Sequence, residues 1–241
     1  MDLTFKASGI LERGKGLTFD DVLLVPRYSE VSSRKYPSLK TKITKNFSID
    51  VPIITANMDT ITETDMAVAM AKLGGLGSLH RFMDTKQQIV MVNDIIKVQK
   101  EFNINKPIAA SIGVKAAGFE RACALVDAGV QILTLDIAHG DSIMMLDTLK
   151  EVKNKFPDVD VIAGNVATAE GVKRMIDLGA DAVKVGIGPG SMCTTRIITG
   201  HGVPQLTAIA MCVREAQQHG VPVIADGGIK NSGDMVKALA A

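Results

Sequence analysis

The chain has 241 residues, of which 46% are hydrophobic and 22 are glycine, enough for one large α/β domain with many tight connections. Its formal net charge is +1 and its basic residues are spread along the chain, which excludes the electrostatic footprint of a protein built chiefly to bind DNA or RNA. No apolar run approaches the length of a membrane span and residues 1–13 lack the apolar centre of a signal peptide, so the expectation is a soluble cytoplasmic protein.

In chain order, residues 1–50 read as an N-terminal extension. Short apolar runs then predict strands at 51–55, 75–79, 108–112, 132–135, 159–163, 182–185 and 221–225. Several are apolar at successive positions, as in parallel strands buried on both faces. Amphipathic stretches at 63–73, 118–128, 142–156, 169–178, 206–219 and 232–241 predict helices between and after them. A weak repeat supports the alternation: Leu125-Val-Asp-Ala-Gly129 and Met175-Ile-Asp-Leu-Gly179 each close a helix with glycine just before a strand. A strand spacing of roughly 25 residues fits βα units rather than hairpins. The expected fold is a (β/α)8 TIM barrel, C-terminally incomplete at about seven βα units, in a single catalytic domain spanning residues 1–241.

The chemistry concentrates in Val185-Gly-Ile-Gly-Pro-Gly-Ser-Met-Cys-Thr-Thr-Arg196, which follows a predicted strand and so lies on the face where barrel enzymes keep their active sites. Glycines there allow close ligand approach, successive N–H groups can cradle a phosphate, and the carbonyls can coordinate a monovalent cation. Cys193, beside hydroxyls and Arg196, is the candidate nucleophile. Cys123 and Cys212 fall in helical patterns and read as packing; three cysteines without paired spacing fit a reducing compartment.

Other strand ends converge on that face. Asp226, followed by Gly227 and Gly228, is placed to accept hydrogen bonds from ribose hydroxyls, with the glycines open to a phosphate. Asp136 and His139 are candidate cofactor or acid–base groups, and Asn165 and the segment 55–59 end two further strands. Each alone also fits a helix cap or turn. Polar residues at four strand ends beside a cysteine loop are harder to explain as caps alone. Arg81, after the second strand, could meet a phosphate or lie on the surface.

These residues resemble the IMP dehydrogenase/GMP reductase family from about Gly16 to Ala241. Leu17-Thr-Phe-Asp-Asp-Val-Leu-Leu-Val-Pro26 is similar to its opening segment. Gly188-Pro-Gly-Ser-Met-Cys-Thr-Thr-Arg196 with Gly202-Val-Pro-Gln205 is similar to its catalytic loop, and Ile224-Ala-Asp-Gly-Gly-Ile229 to its ribose-phosphate strand. The resemblance implies that Cys193 adds to purine C2, with Thr195 assisting acid–base steps and Asp136 lying where nicotinamide and substrate meet. It implies nucleotide contacts from Met58 and Asn165, phosphate binding by Ser191 and Gly228, and ribose binding by Asp226. It further implies cofactor contacts from Asp136, Ala138 and His139, a potassium site on the carbonyls of Gly188, Gly190 and Cys193, and a homotetramer.

The regulatory CBS pair carried by many of the dehydrogenases is absent, since only residues 81–106 separate the second and third predicted strands. Ala56-Asn-Met-Asp59, His80-Arg-Phe82, Ala110-Ser-Ile-Gly113 and Asp136-Ile-Ala-His139 look like the reductases, whereas the opening segment and Gly202-Val-Pro-Gln205 look like the dehydrogenases. The expectation is a GMP reductase, converting GMP to IMP and ammonia with NADPH. The alternatives are an IMP dehydrogenase, oxidising IMP to XMP with NAD, and an inactive nucleotide-binding or subunit-interaction fragment.

Overall fold

The computed structural model describes residues 14–241, so the first part of the N-terminal extension lies outside the described residues. The extension supplies a small antiparallel hairpin, β1 (Thr41–Lys42) and β2 (Ser48–Ile49). Beyond it a curled parallel sheet of six strands runs in chain order, forming part of a (β/α)8 barrel. Its strands are β3 (Ser78–Leu79), β4 (Ala109–Ile112), β5 (Ile132–Asp136), β6 (Asp160–Val166), β7 (Ala182–Val185) and β8 (Val223–Ala225).

Helices α1 (Thr64–Leu73), α2 (Thr85–Glu101), α3 (Lys115–Asp127), α4 (Ile143–Lys155) and α5 (Ala169–Asp177) follow one another between strands. They are succeeded by the short α6 (Thr195–Thr199), then α7 (Gln205–Ala216) and α8 (Ser232–Ala240). Gly129 and Gly179 adopt φ of +101° and +94°, the left-handed turn that the repeated helix endings require.

Alternation along the strands sorts the core into two layers. Leu133, Leu135, Val161, Ala163, Val183 and Val185 point outward into one apolar cluster with the helices. Ala109, Ile132, Ile162, Ala182 and Ile224 point inward, at the strand starts, and pack with Ile43 and Ile49 of the hairpin. The hairpin therefore plugs the bottom of the sheet's interior. Asn46 reinforces it by donating from its side chain to Asp160, and the Lys45 N–H donates to the Asp181 carbonyl.

Moving up the interior, residues turn polar. Ser78, Ser111 and Thr134 form a buried hydroxyl group at 3.0–3.3 Å, and Lys184 sits above it. The apolar layer carries the packing, while the polar layer faces the C-terminal edge of the sheet.

Three expectations need correction. Residues 51–55 contribute only an isolated parallel bridge, Ile54 to Leu76, because the N–H groups of Asp50 and Val51 both donate to the Gly74 carbonyl and Pro52 has none to give. The strand read as 159–163 continues to Val166 through a register shift after Gly164, so Asn165 lies within the sheet rather than beyond it. Residues 81–106, read only as a connection, contain the 17-residue helix α2. Its start carries a capping box, with the Asp84 side chain accepting from the Gln87 N–H at 2.8 Å and Gln87 returning the bond at 3.2 Å.

Candidate active site

The loops after β7 and β8 touch through glycine. A Cβ on Gly186, at φ +149°, would sit 2.1 Å from the Asp226 carbonyl oxygen, and one on Gly227 would sit 3.0 Å from the Gly190 nitrogen. Gln205 clips the two strand ends together by donating to the carbonyls of Val185 and Asp226 at 2.9 and 3.0 Å. Sequence proximity brings Cys193 to the β7 loop; these contacts bring that loop against Asp226, Gly227 and Gly228.

Cys193 is exposed, its Sγ 3.3 Å from Thr195 Oγ1, and its N–H donates to the Gly190 carbonyl at 3.1 Å. Hydrogen bonding from the Thr195 hydroxyl and backbone holds the thiol below its usual range, helped by the Gly188 backbone and the nearby Arg196 charge. Arg196 is braced by donating to the Val203 carbonyl at 2.7 Å. Ser191 is exposed on the same loop. An accessible thiol with a stabilised thiolate is what nucleophilic catalysis needs.

The carboxylates meet around an unexpected lysine. Lys184 Nζ donates to Asn57 Oδ1 at 2.8 Å and lies 3.2 Å from Asp226 Oδ2 and 3.3 Å from Asp136 Oδ1. Asn57 Nδ2 donates to Asp136 Oδ2 at 2.6 Å. Asn165 Nδ2 donates to Asp226 Oδ2 at 2.7 Å and to the Gly186 carbonyl at 2.8 Å. Asp226 Oδ1 accepts no hydrogen bond among the described residues. Thus Asp136, Asn165 and Asp226, three residues singled out in the sequence, belong to one network of hydrogen bonds and ion pairs around Lys184.

The remaining candidates are less tightly held. Met58 is exposed next to Asn57, and Ala138 and His139 are exposed on the loop after β5. The carbonyl of Gly190 accepts the Cys193 N–H, while those of Gly188 and Cys193 accept no backbone hydrogen bond among the described residues. Uncharged carbonyl oxygens suit a monovalent cation such as potassium, so this donor set fits one, with Gly190 offering its second lone pair. Cys212 is buried and its thiol is pushed up to about 12 by desolvation, whereas Cys123 is half-buried.

His80, buried at the end of β3, approaches Glu63 at 3.3 Å and Asp59 at 3.6 Å. Its Nδ1 accepts the Phe82 N–H, so the ring proton sits on Nε2 and points at the carboxylates. No lone pair is then left on the ring for a metal. Lys184, Gln205 and Asn57 were missed as site residues. A lysine inside the buried run Ala182–Val185 was the available signal, since a charge there demands partners.

A curled parallel sheet with a stabilised thiol and paired carboxylates at its C-terminal edge defines a (β/α)8-barrel domain with its site where such barrels place catalysis. A family model described as the IMP dehydrogenase / GMP reductase domain matches residues 16–241, and the chain belongs to that family. It is 47% identical to an inosine-5'-monophosphate dehydrogenase from Cryptosporidium parvum, over 94% of this chain and 65% of that protein. It is 40% identical to an inosine-5'-monophosphate dehydrogenase from Borreliella burgdorferi, over 94% and 67%. A GMP reductase from Leishmania major is 33% identical, over 94% and 72%. The chain spans about two thirds of the length of the first of these relatives. Among the described residues no helix is long and apolar enough to cross a membrane.

Proposed function

We propose that this chain carries the thiol site of a purine nucleotide oxidoreductase, in which Cys193 attacks C2 of the purine ring. The observation that carries this reading is an exposed, Thr195-stabilised thiol on a loop packed against the strand end bearing Asp226. Asp226 Oδ1 receives a ribose hydroxyl, and the N–H groups of Ser191 and of the Gly227–Gly228 turn receive the 5'-phosphate. Met58 and Asn165 border the base. Asp136, with Ala138 and His139, faces the dinucleotide, whose nicotinamide takes or gives the hydride. Carbonyls of Gly188, Gly190 and Cys193 would hold a potassium ion and steady the loop. Thr195, in contact with the sulfur, is the residue placed to assist proton movement there. Exposed apolar side chains such as Leu23, Tyr28 and Val31 suit packing between copies, in keeping with a tetramer.

For the direction of reaction, identities of 47% and 40% to dehydrogenases against 33% to a reductase favour oxidation of IMP to XMP with NAD. In this direction the thiolate adds to C2, a hydride leaves C2 for the dinucleotide, and water releases the product from sulfur. The second reading is reductive deamination of GMP with NADPH, supported by Ala56-Asn-Met-Asp59, Ala110-Ser-Ile-Gly113 and Asp136-Ile-Ala-His139. There the thiolate displaces ammonia from C2, hydride from the dinucleotide adds to C2 of the adduct, and the C2–S bond breaks to release IMP and the thiolate.

The whole protein is assayed with IMP plus NAD and separately with GMP plus NADPH. NADH production in the first supports the dehydrogenase; ammonia release with NADPH consumption in the second supports the reductase. Cys193→Ala abolishes either turnover while retaining nucleotide binding, and a turning-over alanine variant would remove the thiol from the mechanism.

A further inference from the structure

We infer that Lys184 is a positioning residue that orients both Asp136 and Asp226, and so links the cofactor side of the site to its ribose side. This rests on the reading of the site as one for a purine nucleotide and a dinucleotide.

Lys184 is 5% exposed, in a four-residue strand whose other members are apolar and buried. A buried ammonium needs an acceptor for each of its three N–H groups. Here Asn57 Oδ1 accepts a hydrogen bond from it at 2.8 Å, and Asp226 Oδ2 and Asp136 Oδ1 form ion pairs with it at 3.2 and 3.3 Å. These partners come from the segment before α1, from β5 and from the end of β8, so one side chain ties together distant parts of the curled sheet. Asn57 closes the ring by donating to the second oxygen of Asp136.

Stability alone gives little reason for such a group, because apolar packing of equal volume is often as stable as a buried ion pair. What the lysine does supply is direction. It holds Asp226 Oδ2 on the buried side, together with Asn165, and leaves Oδ1 without a partner among the described residues. It also fixes one oxygen of Asp136 while Asn57 fixes the other. Both carboxylates are partly exposed, at 26% and 33%, so each is anchored on its buried side and presented on its open side. Space for the lysine stem is provided by Gly164, its register partner on β6, where any Cβ would lie 2.6 Å from that of Lys184.

The test uses the whole protein, with IMP and GMP as binding probes by calorimetry and with steady-state kinetics for whichever reaction it performs. Charge-assisted hydrogen bonds of this kind set the scale, so Lys184→Met is expected to weaken nucleotide binding and raise KM for the dinucleotide, each by about tenfold or more. Lys184→Arg restores most of both. The rate at which iodoacetamide alkylates Cys193 stays within about twofold of the wild type, which a general loss of structure would not allow. In an Asp226→Ala background, Lys184→Met adds little further loss of nucleotide binding, because its effect runs through that carboxylate. If Lys184→Met does not fold, Lys184→Gln carries the same measurements. Unchanged nucleotide binding in the lysine variants, or fully additive losses with Asp226→Ala, overturns the role of Lys184 alone. A wild-type protein that binds neither nucleotide overturns the purine reading and this inference with it.

Discussion

Thr195 Oγ1 lies 3.3 Å from Cys193 Sγ, and this contact is the largest cause of the lowered thiol pKa. A hydroxyl that can donate to sulfur favours the thiolate. Thr195→Ala is therefore expected to move the midpoint of the pH–alkylation curve upward, so that less thiolate is present at neutral pH. Iodoacetamide rates between pH 6 and 10 measure this; an unmoved midpoint would mean that the backbone and Arg196 suffice.

Cys212 makes the opposite case. Its thiol, buried and pushed up to about 12, is ionised at pH 8 to only about one part in ten thousand. Mass spectrometry after brief alkylation at pH 8 should find Cys193 modified and Cys212 untouched until denaturant is added.

Gly164 faces Lys184 across the β6–β7 register. A Cβ at 164 would approach the Lys184 Cβ at 2.6 Å and its carbonyl oxygen at 2.7 Å, and the carbonyl cannot swing aside as a side chain could. Gly164→Ala should cost about 1–3 kcal/mol by overpacking. Urea unfolding measures the cost, and nucleotide affinity should fall alongside it because the lysine is displaced.

At the opposite end of the sheet, Asp181 accepts from Lys153 Nζ at 2.8 Å and from the Val161 N–H at 2.9 Å. Asp181→Ala leaves a largely buried ammonium and a buried amide without this partner, at an expected cost of about 3–5 kcal/mol. Replacing Lys153 by Met in the same chain should recover part of that. A urea midpoint that hardly moves in the single variant would show that the Pro157 and Val159 carbonyls satisfy Lys153 on their own.

Much of the architecture was legible because the buried strands repeat a simple pattern. Runs such as Ile132 to Leu135 and Ala182 to Val185 are apolar on both faces, and glycines such as Gly129 and Gly179 close the preceding helices. Helix α2 was harder to see, since its polar, weakly patterned sequence hides the buried Val92 and Ile95, although the Asp84–Gln87 box marked its start. The hairpin of residues 41–49 was missed because two-residue strands carry almost no periodicity. Its Ile43 and Ile49 make sense only beneath the sheet they plug.

The sequence by itself determined the candidate thiol, the glycine-rich loop that presents it and the carboxylates at strand ends, because each depends on residue type and near neighbours. Only the tertiary structure decided that Lys184 joins Asp136 to Asp226, that Asn57 completes the ring, and that Gly186 and Gly227 let two loops touch. Those relationships link residues more than 35 positions apart in the chain. Curling the sheet brings them within hydrogen-bonding distance, and nothing in local pattern encodes which strand ends will face one another.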